Sequence, residues 1–442
     1  MHLWGVVALT TGPLGRCWGF PEFSMFMKQR GRSRGHDLCG NDWAEDHHDV
    51  CVMNAGGDKL AEQRFDEGIR EIAMFHGLMA EFVSDPCDVV IGVETDRGMW
   101  VEALIAAGYQ VYAVNPRSVS RYRERYCVSG AKSDRGDAKV LADMVRTDRH
   151  MHRQVAGDTD LGHDIKLVAR VHQTLIWDRH RQRSRLRAAL REFYPQALVA
   201  FNDCASRDAL AVLEIAPTPH TGAALSIAQI VTALRDAGRC RYLDVTATKI
   251  HRALGEQHLE ASPGVVAGLA VTTSATVALL VVINEQILAV ETELAPRFEQ
   301  HPDAAIYLSM PGCGVTLGAR MLGEFGDDPE RYSDAKARKN YAATSPITIA
   351  SGRRRSVHAR WIRNERLHDA VTQWARLAVN NSPGARVFYD EQRDKGAGYH
   401  TAIRALGNRL IGCLHGCLKS GTLYDEDTAW AHRQTEQTSK AA

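Results

Sequence analysis

The chain has 442 residues, 45% hydrophobic and 24% charged, with a formal net charge of +1. That length allows two or three domains of ~100–200 residues, and the composition is that of a globular protein, not a disordered or fibrous one. Near-neutral charge excludes a global field for nucleic acid, so any such affinity must come from local patches.

Residues 1–36 are rich in Gly, Arg and Phe without periodicity. They read as a disordered arm, or as sequence upstream of a later start at Met25 or Met27. The start lacks a basic stretch and an Ala-x-Ala-like cleavage site, so no signal peptide is expected. No run approaches ~18 consecutive apolar residues, so no membrane span is expected. Ten cysteines without a paired pattern point to a reduced, cytoplasmic setting.

Residues 38–54 read as two strands around a short turn, ending at Gly56-Gly57, with a third strand at 59–65. Residues 67–82 have helical periodicity, with Ile69, Ile72, Ala73, Leu78 and Met79 as the expected inner face. A strand at 88–94, a helix at 98–107 and a strand at 109–114 follow, the last stopped by Asn115-Pro116. Two helices come next, at 117–127 and 134–148. Three strands in succession and then alternating α and β predict a mixed sheet with helices on its faces.

Four carboxylates stand out in this stretch. Asp42 and Glu94 end predicted strands, and Asp134 and Asp137 open a helix in Lys132-Ser133-Asp134-Arg135-Gly136-Asp137-Ala138. A spacing of three puts the last two on one helix face. Carboxylates from separate strands plus a helical pair suit a hard cation such as Mg²⁺ or Mn²⁺, and hence phosphodiester chemistry. Each also has a plainer reading, with Asp134 as a helix cap and Asp137 as a first-turn acid favoured by the helix dipole. Asp46, Asp49 and Asp96 are lower-ranked rivals. His47 and His48 read as surface residues.

From 160 to 200 the pattern is long and helical. Arg179, Arg181, Arg183, Arg185, Arg187 and Arg191 precede Pro195. They suit either a solvated face of snorkelling side chains or a phosphate-tracking helix. Residues 205–260 are mostly helical, and 273–298 is another long helix. Residues 159–300 therefore read as a helical arm, possible as a coiled coil although strict heptads are not obvious.

The last ordered part, 301–424, begins with Leu308-Ser309-Met310-Pro311-Gly312-Cys313-Gly314-Val315. This resembles a helix-hairpin-helix turn, in which Gly312 and Gly314 aim backbone N–H groups at a phosphate; a plain helix connection is the alternative. A strand-like run, Ile347-Thr348-Ile349-Ala350, leads into Ser351-Gly352. Six arginines between 351 and 366, against Glu365 alone, give this segment a net +5. A serine in such a field suits either a nucleophile or a phosphate-binding turn. Cys413 and Cys417 flank His415, but a fourth zinc ligand is missing and the run looks like core. Residues 425–442 are polar and expected to fray.

Taken together, Asp-Trp-Ala-Glu-Asp-His-His-Asp-Val at 42–50, Glu94, Val114-Asn115-Pro116 and the 132–138 motif resemble the RuvC-like half of the DEDD transposases of the insertion sequence 110 family. Pro311-Gly312-Cys313-Gly314, Ser345-Pro346-Ile347-Thr348 and Ser351-Gly352 resemble that family's C-terminal transposase domain. The resemblance covers about residues 38–425. It implies an RNase H-like (RuvC-like) α/β domain over 37–158, the helical arm, and a mostly helical C-terminal domain.

It also implies that Asp42, Glu94, Asp134 and Asp137 bind Mg²⁺ and that Ser351 attacks the DNA backbone to form a transient phosphoserine link. DNA would be contacted through Lys132, Arg135, Gly312, Gly314, Arg353, Arg354, Arg355, Arg360 and Arg363. The implied partners are element-end and target DNA, an element-encoded guide RNA, and further copies of the chain in a dimer or tetramer. Asn41 departs from the family's usual apolar strand residue, and a polar side chain there is expected to disturb the first strand modestly. The family has no counterpart to residues 1–36. Two other readings stay open: a RuvC-like nuclease of branched DNA using metal-activated water alone, and an inactive nucleic-acid-binding copy.

Overall fold

A computed structural model describes residues 37–125, 133–155, 157–361 and 363–431. Two compact units divide between Val155 and Ala156.

The first unit contains strands β1 (Asp37–Trp43), β2 (His47–Met53) and β3 (Lys59–Asp66), helix α1 (Ile69–Ala80), β4 (Val89–Val93), α2 (Met99–Ala106), β5 (Gln110–Ala113), α3 (Pro116–Arg123), α4 (Asp134–Asp148) and a two-residue β6 (Arg153–Gln154). The strands form one sheet in the order β3-β2-β1-β4-β5-β6. Short turns make β1, β2 and β3 antiparallel, while β4 and β5 lie parallel to β1, the crossover between them carried by α2. This is the mixed, RuvC-like sheet that the sequence predicts.

Strand alternation sorts the side chains onto two faces. Cys39, Val50, Val52, Ile91 and Val93 share one core with Phe75, Met79, Trp100 and Leu104 of α1 and α2. Leu38, Cys51, Met53 and Val90 share the other with Ala138, Leu141, Ala142 and Val145 of α4. Two register partners, Gly40 and Gly92, let α4 lie almost on the sheet backbone. A Cβ on Gly40 would fall 1.8 Å from the carbonyl oxygen of Ala138, and one on Gly92 2.8 Å from that of Leu141. Only a residue without a side chain permits such an approach.

The inner face of α1 differs from expectation. Phe75 and Met79 are buried, whereas Ile69 is 90% exposed and Ala73 is also exposed. The aromatic Phe75 claims the core side, and at ~100° per residue Ala73 is turned ~200° away from it. The expected helix at 117–127 ends at Arg123, and residues 126–132 lie outside the described residues.

The second unit begins with α5 (Asp160–Phe193). Helices α6 (Pro195–Ala200), α7 (Arg207–Ile215), α8 (Pro219–Ala223), α9 (Ile227–Asp236) and α10 (Leu243–Leu254) follow, then α11 (Pro263–Glu299). Side-chain pairs show that α5 and α11 run antiparallel: Arg297 to Asp164 at 2.9 Å, His172 to Glu291 at 3.0 Å and Arg179 to Asn284 at 2.7 Å. The intervening helices close a core around Phe193, Tyr194, Leu213 and Leu280 at the far end of this pair.

An 18-residue stretch of α11 has a mean hydropathy of 2.3, long and apolar enough to cross a membrane by length and composition. Thr272, Thr273, Ser274 and Thr276 interrupt the apolar run without lowering its average much. Here the helix lies along α5, burying Thr273, Thr276, Val277 and Leu280.

The rest of the unit comprises α12 (Ala304–Ser309), α13 (Val315–Phe325), α14 (Ala335–Tyr341), a hairpin of β7 (Ile347–Ser351) and β8 (Arg354–His358), α15 (Glu365–Asn381), α16 (Pro383–Asp394) and α17 (Tyr399–Ser420). Their core, around Tyr307, Phe325 and Trp374, also takes in Ile165, Ala169 and Phe298 from α5 and α11. Ion pairs pin the helices together. Arg170 donates two bonds to buried Glu324, at 2.6 and 2.9 Å, and Arg320 reaches Asp369 at 2.5 Å. The expected fraying from 425 is corrected as far as 431. Trp430 is buried against Phe388, and Glu426 accepts from Ser382 Oγ and the Gly384 N–H. Residues 432–442 lie outside the described residues.

Candidate active site

Asn41 of β1 pairs in register with Val93 of parallel β4. The next residues, Asp42 and Glu94, therefore sit side by side at the carboxyl ends of neighbouring strands. Each lies two residues beyond a glycine that faces α4, so both belong to the α4 side of the sheet. Across the hairpin Asp42 pairs with Asp49, which shares that side with Cys51 and Met53.

Helix α4 runs antiparallel to β1, with Ser133 capping it by accepting the Gly136 N–H at 3.1 Å. Its first turn delivers Asp134 to within 4.0 Å of His47 Nε2. His47, Asp49 and Asp134 form a group whose ligand atoms all lie within 4.8 Å of one another. Arg64 of β3 holds Asp49 with two bonds, at 3.1 and 2.6 Å, and lies 3.9 Å from Asp134. The hydrogen bond to Asp49 raises the already high pKa of Arg64. Asp137 is buried, and Arg123 of α3 clamps its Oδ1 through Nε at 2.6 Å and Nη2 at 2.5 Å.

Asp49 and Asp134 thus gather with His47 at this end of the sheet beside Arg64, where Asp46 also bonds His47 Nδ1 at 2.6 Å and β1 and β4 end in Asp42 and Glu94. Carboxylate oxygens suit a divalent cation such as Mg²⁺, and His47 adds a nitrogen suited to Mn²⁺. Of the four acids expected as ligands, only Asp134 belongs to the group within 4.8 Å, with His47 and Asp49; Asp42 and Glu94, both partly buried, are not part of it. Asp137, held by Arg123, is not part of that group.

Three sequence expectations change here. His48 is buried rather than at the surface: strand alternation turns it to the α1–α2 face, where it stacks on Trp100 at 3.9 Å and meets Glu67 at 2.6 Å. Burial lowers its pKa despite the opposing pull of Glu67. His47 is half-buried within the carboxylate group. Asn41 causes no break in β1 and lies beside a small void of about 30 Å³ also lined by His48, Glu67 and Trp100. Arg135 is exposed and 3.7 Å from Glu62, and Lys132 lies outside the described residues.

In the second unit, Ser351 ends β7 and pairs with Arg354, so Gly352 and Arg353 form a two-residue turn. Gly352 has φ +55°, the left-handed first position that favours glycine in this kind of turn. Ser351, Arg353, Arg354 and Arg355 are all exposed. Arg360 instead anchors the hairpin stem, donating to Ser345 O and Asn340 Oδ1 at 3.1 Å each. Arg363 bonds Glu365 at 3.0 Å.

Gly312, at φ +72°, is pressed against α15, where a Cβ would meet Leu377 at 2.8 Å. Gly314 is exposed and precedes the first turn of α13. On α5, Arg179 is tied to Asn284, Asp203 and Ala205 O, whereas Arg181, Arg185, Arg187 and Arg191 are exposed. Cys413 and Cys417 pack against the core of this unit, where burial raises their thiol pKa values.

Comparison with known proteins gives two family matches along the chain. Residues 39–195 match a family model for DEDD transposases described as Transposase, and 304–390 match one described as Transposase IS116/IS110/IS902 family. The chain is 38% identical to the mini-circle putative transposase for IS117 of Streptomyces coelicolor, over 89% of this chain and 96% of that protein. It is 28% identical to the insertion element IS900 uncharacterized 42 kDa protein of Mycobacterium paratuberculosis, over 89% and 98%. The insertion element IS110 uncharacterized 43.6 kDa protein of Streptomyces coelicolor is 27% identical, over 86% and 93%.

Proposed function

The chain belongs to the IS110 family of insertion-sequence transposases, and from that premise we propose that it cuts and rejoins DNA with a divalent cation and a serine nucleophile. The observation that carries the metal half is the register of β1 and β4, which sets Asp42 beside Glu94 on the side where α4 presents Asp134. A divalent ion there would polarise the scissile phosphate and stabilise the leaving oxygen. Asp42, Glu94 and Asp134 would hold it. Arg123 keeps the Asp137 carboxylate fixed behind them, with Asp137 able to join as a fourth ligand if the clamp yields.

Ser351 is the proposed nucleophile. Its Oγ loses its proton and bonds to phosphorus, the strand's P–O bond breaks, and the departing oxygen takes up a proton. A hydroxyl of the other DNA partner then attacks the phosphoserine and frees Ser351. Arg353, Arg354 and Arg355, on the same turn, would neutralise the phosphate as charge develops. An element-encoded RNA is the proposed source of target choice, and more than one copy of the chain is the proposed working assembly.

The test is to incubate wild type, Ser351→Ala and Asp42→Asn with element-end DNA, guide RNA and Mg²⁺, then trap covalent protein–DNA adducts under denaturing conditions. Wild type should form them and both variants should not. Undiminished adducts with Ser351→Ala would remove that residue from its role. Hydrolysed ends without any adduct would favour the metal-only nuclease.

A further inference from the structure

A cavity of about 620 Å³ opens in the second unit among the start of α12, the 326–333 loop, α14 and α17. That volume falls within the range of small-molecule sites. Arg338 of α14 lines it and is only 5% exposed. Its guanidinium stacks over Tyr332 at 4.6 Å and Phe325 at 5.2 Å; among the described residues no carboxylate lies within 4.0 Å of it, and Asp303 of the same wall acts on it from farther off. Among the described residues its Nε and Nη1 find no hydrogen-bond acceptor, while Tyr307 partners the guanidinium.

An arginine cannot shed its proton, so a buried guanidinium whose carboxylate neighbour stands beyond ion-pair distance is costly. Other buried arginines of this unit are paired, Arg320 with Asp369 and Arg331 with Asp158. On the same lining, α17 contributes His415 and Lys419, placed one turn apart on that helix. The wall also carries Asp303, Asp328 and Glu330, which can accept hydrogen bonds from amino or hydroxyl groups. Asp327 is already committed, to His301 at 3.1 Å and to Thr159, so it is not a counter-ion for Arg338.

We propose that this cavity binds a nucleoside phosphate, its phosphoryl group taken by Arg338, His415 and Lys419 and its amino or hydroxyl groups by the carboxylates. Arginine and lysine in one wall suit a phosphoryl group better than a single carboxylate, since several donors can be used at once. The ligand is either a free nucleotide or the phosphorylated end of a strand. The proposal rests on this cavity and does not depend on the roles proposed for the carboxylates or Ser351.

The test is calorimetric titration of the full-length protein with dAMP, deoxyadenosine and inorganic phosphate. dAMP should bind, and deoxyadenosine should bind at least ~10-fold more weakly, as loss of charge-assisted hydrogen bonds implies. Lys419→Gln, on an exposed part of the wall, and Arg338→Gln should each weaken dAMP by a similar factor; if Arg338→Gln fails to fold, Lys419→Gln with His415→Gln carries the test. A 5′-phosphorylated oligonucleotide that displaces dAMP identifies a strand end as the ligand, and failure to displace it identifies the free nucleotide. Equal binding of dAMP and deoxyadenosine, unchanged binding in Lys419→Gln and His415→Gln, or no dAMP binding at ~1 mM would overturn the proposal.

Discussion

Gly40→Ala isolates the contact that seats α4 on the sheet. The added methyl would lie 1.8 Å from the Ala138 carbonyl oxygen and 2.4 Å from the Ala142 nitrogen. Both are backbone atoms, so no side chain can swing away, and ordinary contact distance requires the helix to lift by more than 1 Å. Overpacking of this kind costs ~1–3 kcal/mol or more. The lift also draws Asp134 and Asp137 away from Asp42 and Glu94, and ~1 Å of misplacement can lower a rate ~100-fold. Urea unfolding followed by circular dichroism measures the first effect, and strand cleavage in Mg²⁺ measures the second. Gly77→Ala is the control: a Cβ there meets nothing within 4 Å, so relief of glycine's entropy in α1 should add ~0.5–1 kcal/mol. If Gly40→Ala changes stability by less than ~0.5 kcal/mol and cleaves at the wild-type rate, the seating of α4 does not set the site.

Other outcomes follow from single contacts. His48 has its pKa lowered by burial from an ordinary 6.5, so its contribution to stability is full above that pH and is lost as pH falls below it. His48→Phe should flatten the stability profile on that acid side while keeping the Trp100 stack, and an unchanged profile would contradict the assignment. Asp327 is also buried, yet hydrogen bonds from His301 and Thr159 outweigh that and hold its carboxyl at about 2. Stability drawn from it is full above the ordinary 3.8 and disappears as pH falls toward about 2, so Asp327→Asn should remove that portion of the acid unfolding curve. Arg123→Gln should cost ~3–5 kcal/mol, since it leaves Asp137 buried without its partner, and a loss below ~1 kcal/mol would mean that the clamp matters little. Neutralising Arg353, Arg354 and Arg355 together should lower the slope of log affinity against log salt by ~2–3, and an unchanged slope would show that the turn does not touch phosphate.

The sheet was legible because its signals are local. Alternation and β-branched runs mark β1 to β5, and Ser133 before Asp134 marks the start of α4. Asp42 and Glu94 could be picked out as strand-end acids, but their adjacency depends on which strands pair. Asp49 needed the same information: only the hairpin register puts it opposite Asp42. His48 was misjudged because it sits in a polar run, although counting by twos from Val50 and Val52 assigns it to the buried face. Asn41 follows the same count and faces the same void. The β8 strand was missed because Arg354–His358 has no apolar alternation, and none is needed where no face is buried. The Arg338 cavity left no local trace, since its walls run from Thr159 to Lys419, segments far apart in sequence.

The β7–β8 hairpin covers no core: every residue from Thr348 to His358 is exposed apart from the turn's own contacts. Two strands alone are only marginally stable in water. Whatever grips this finger must therefore spend some of its interaction in stiffening it. On the role proposed for Ser351, recognition and readiness of the tip would then arrive together, its hydroxyl staying chemically quiet until the right strand is in hand.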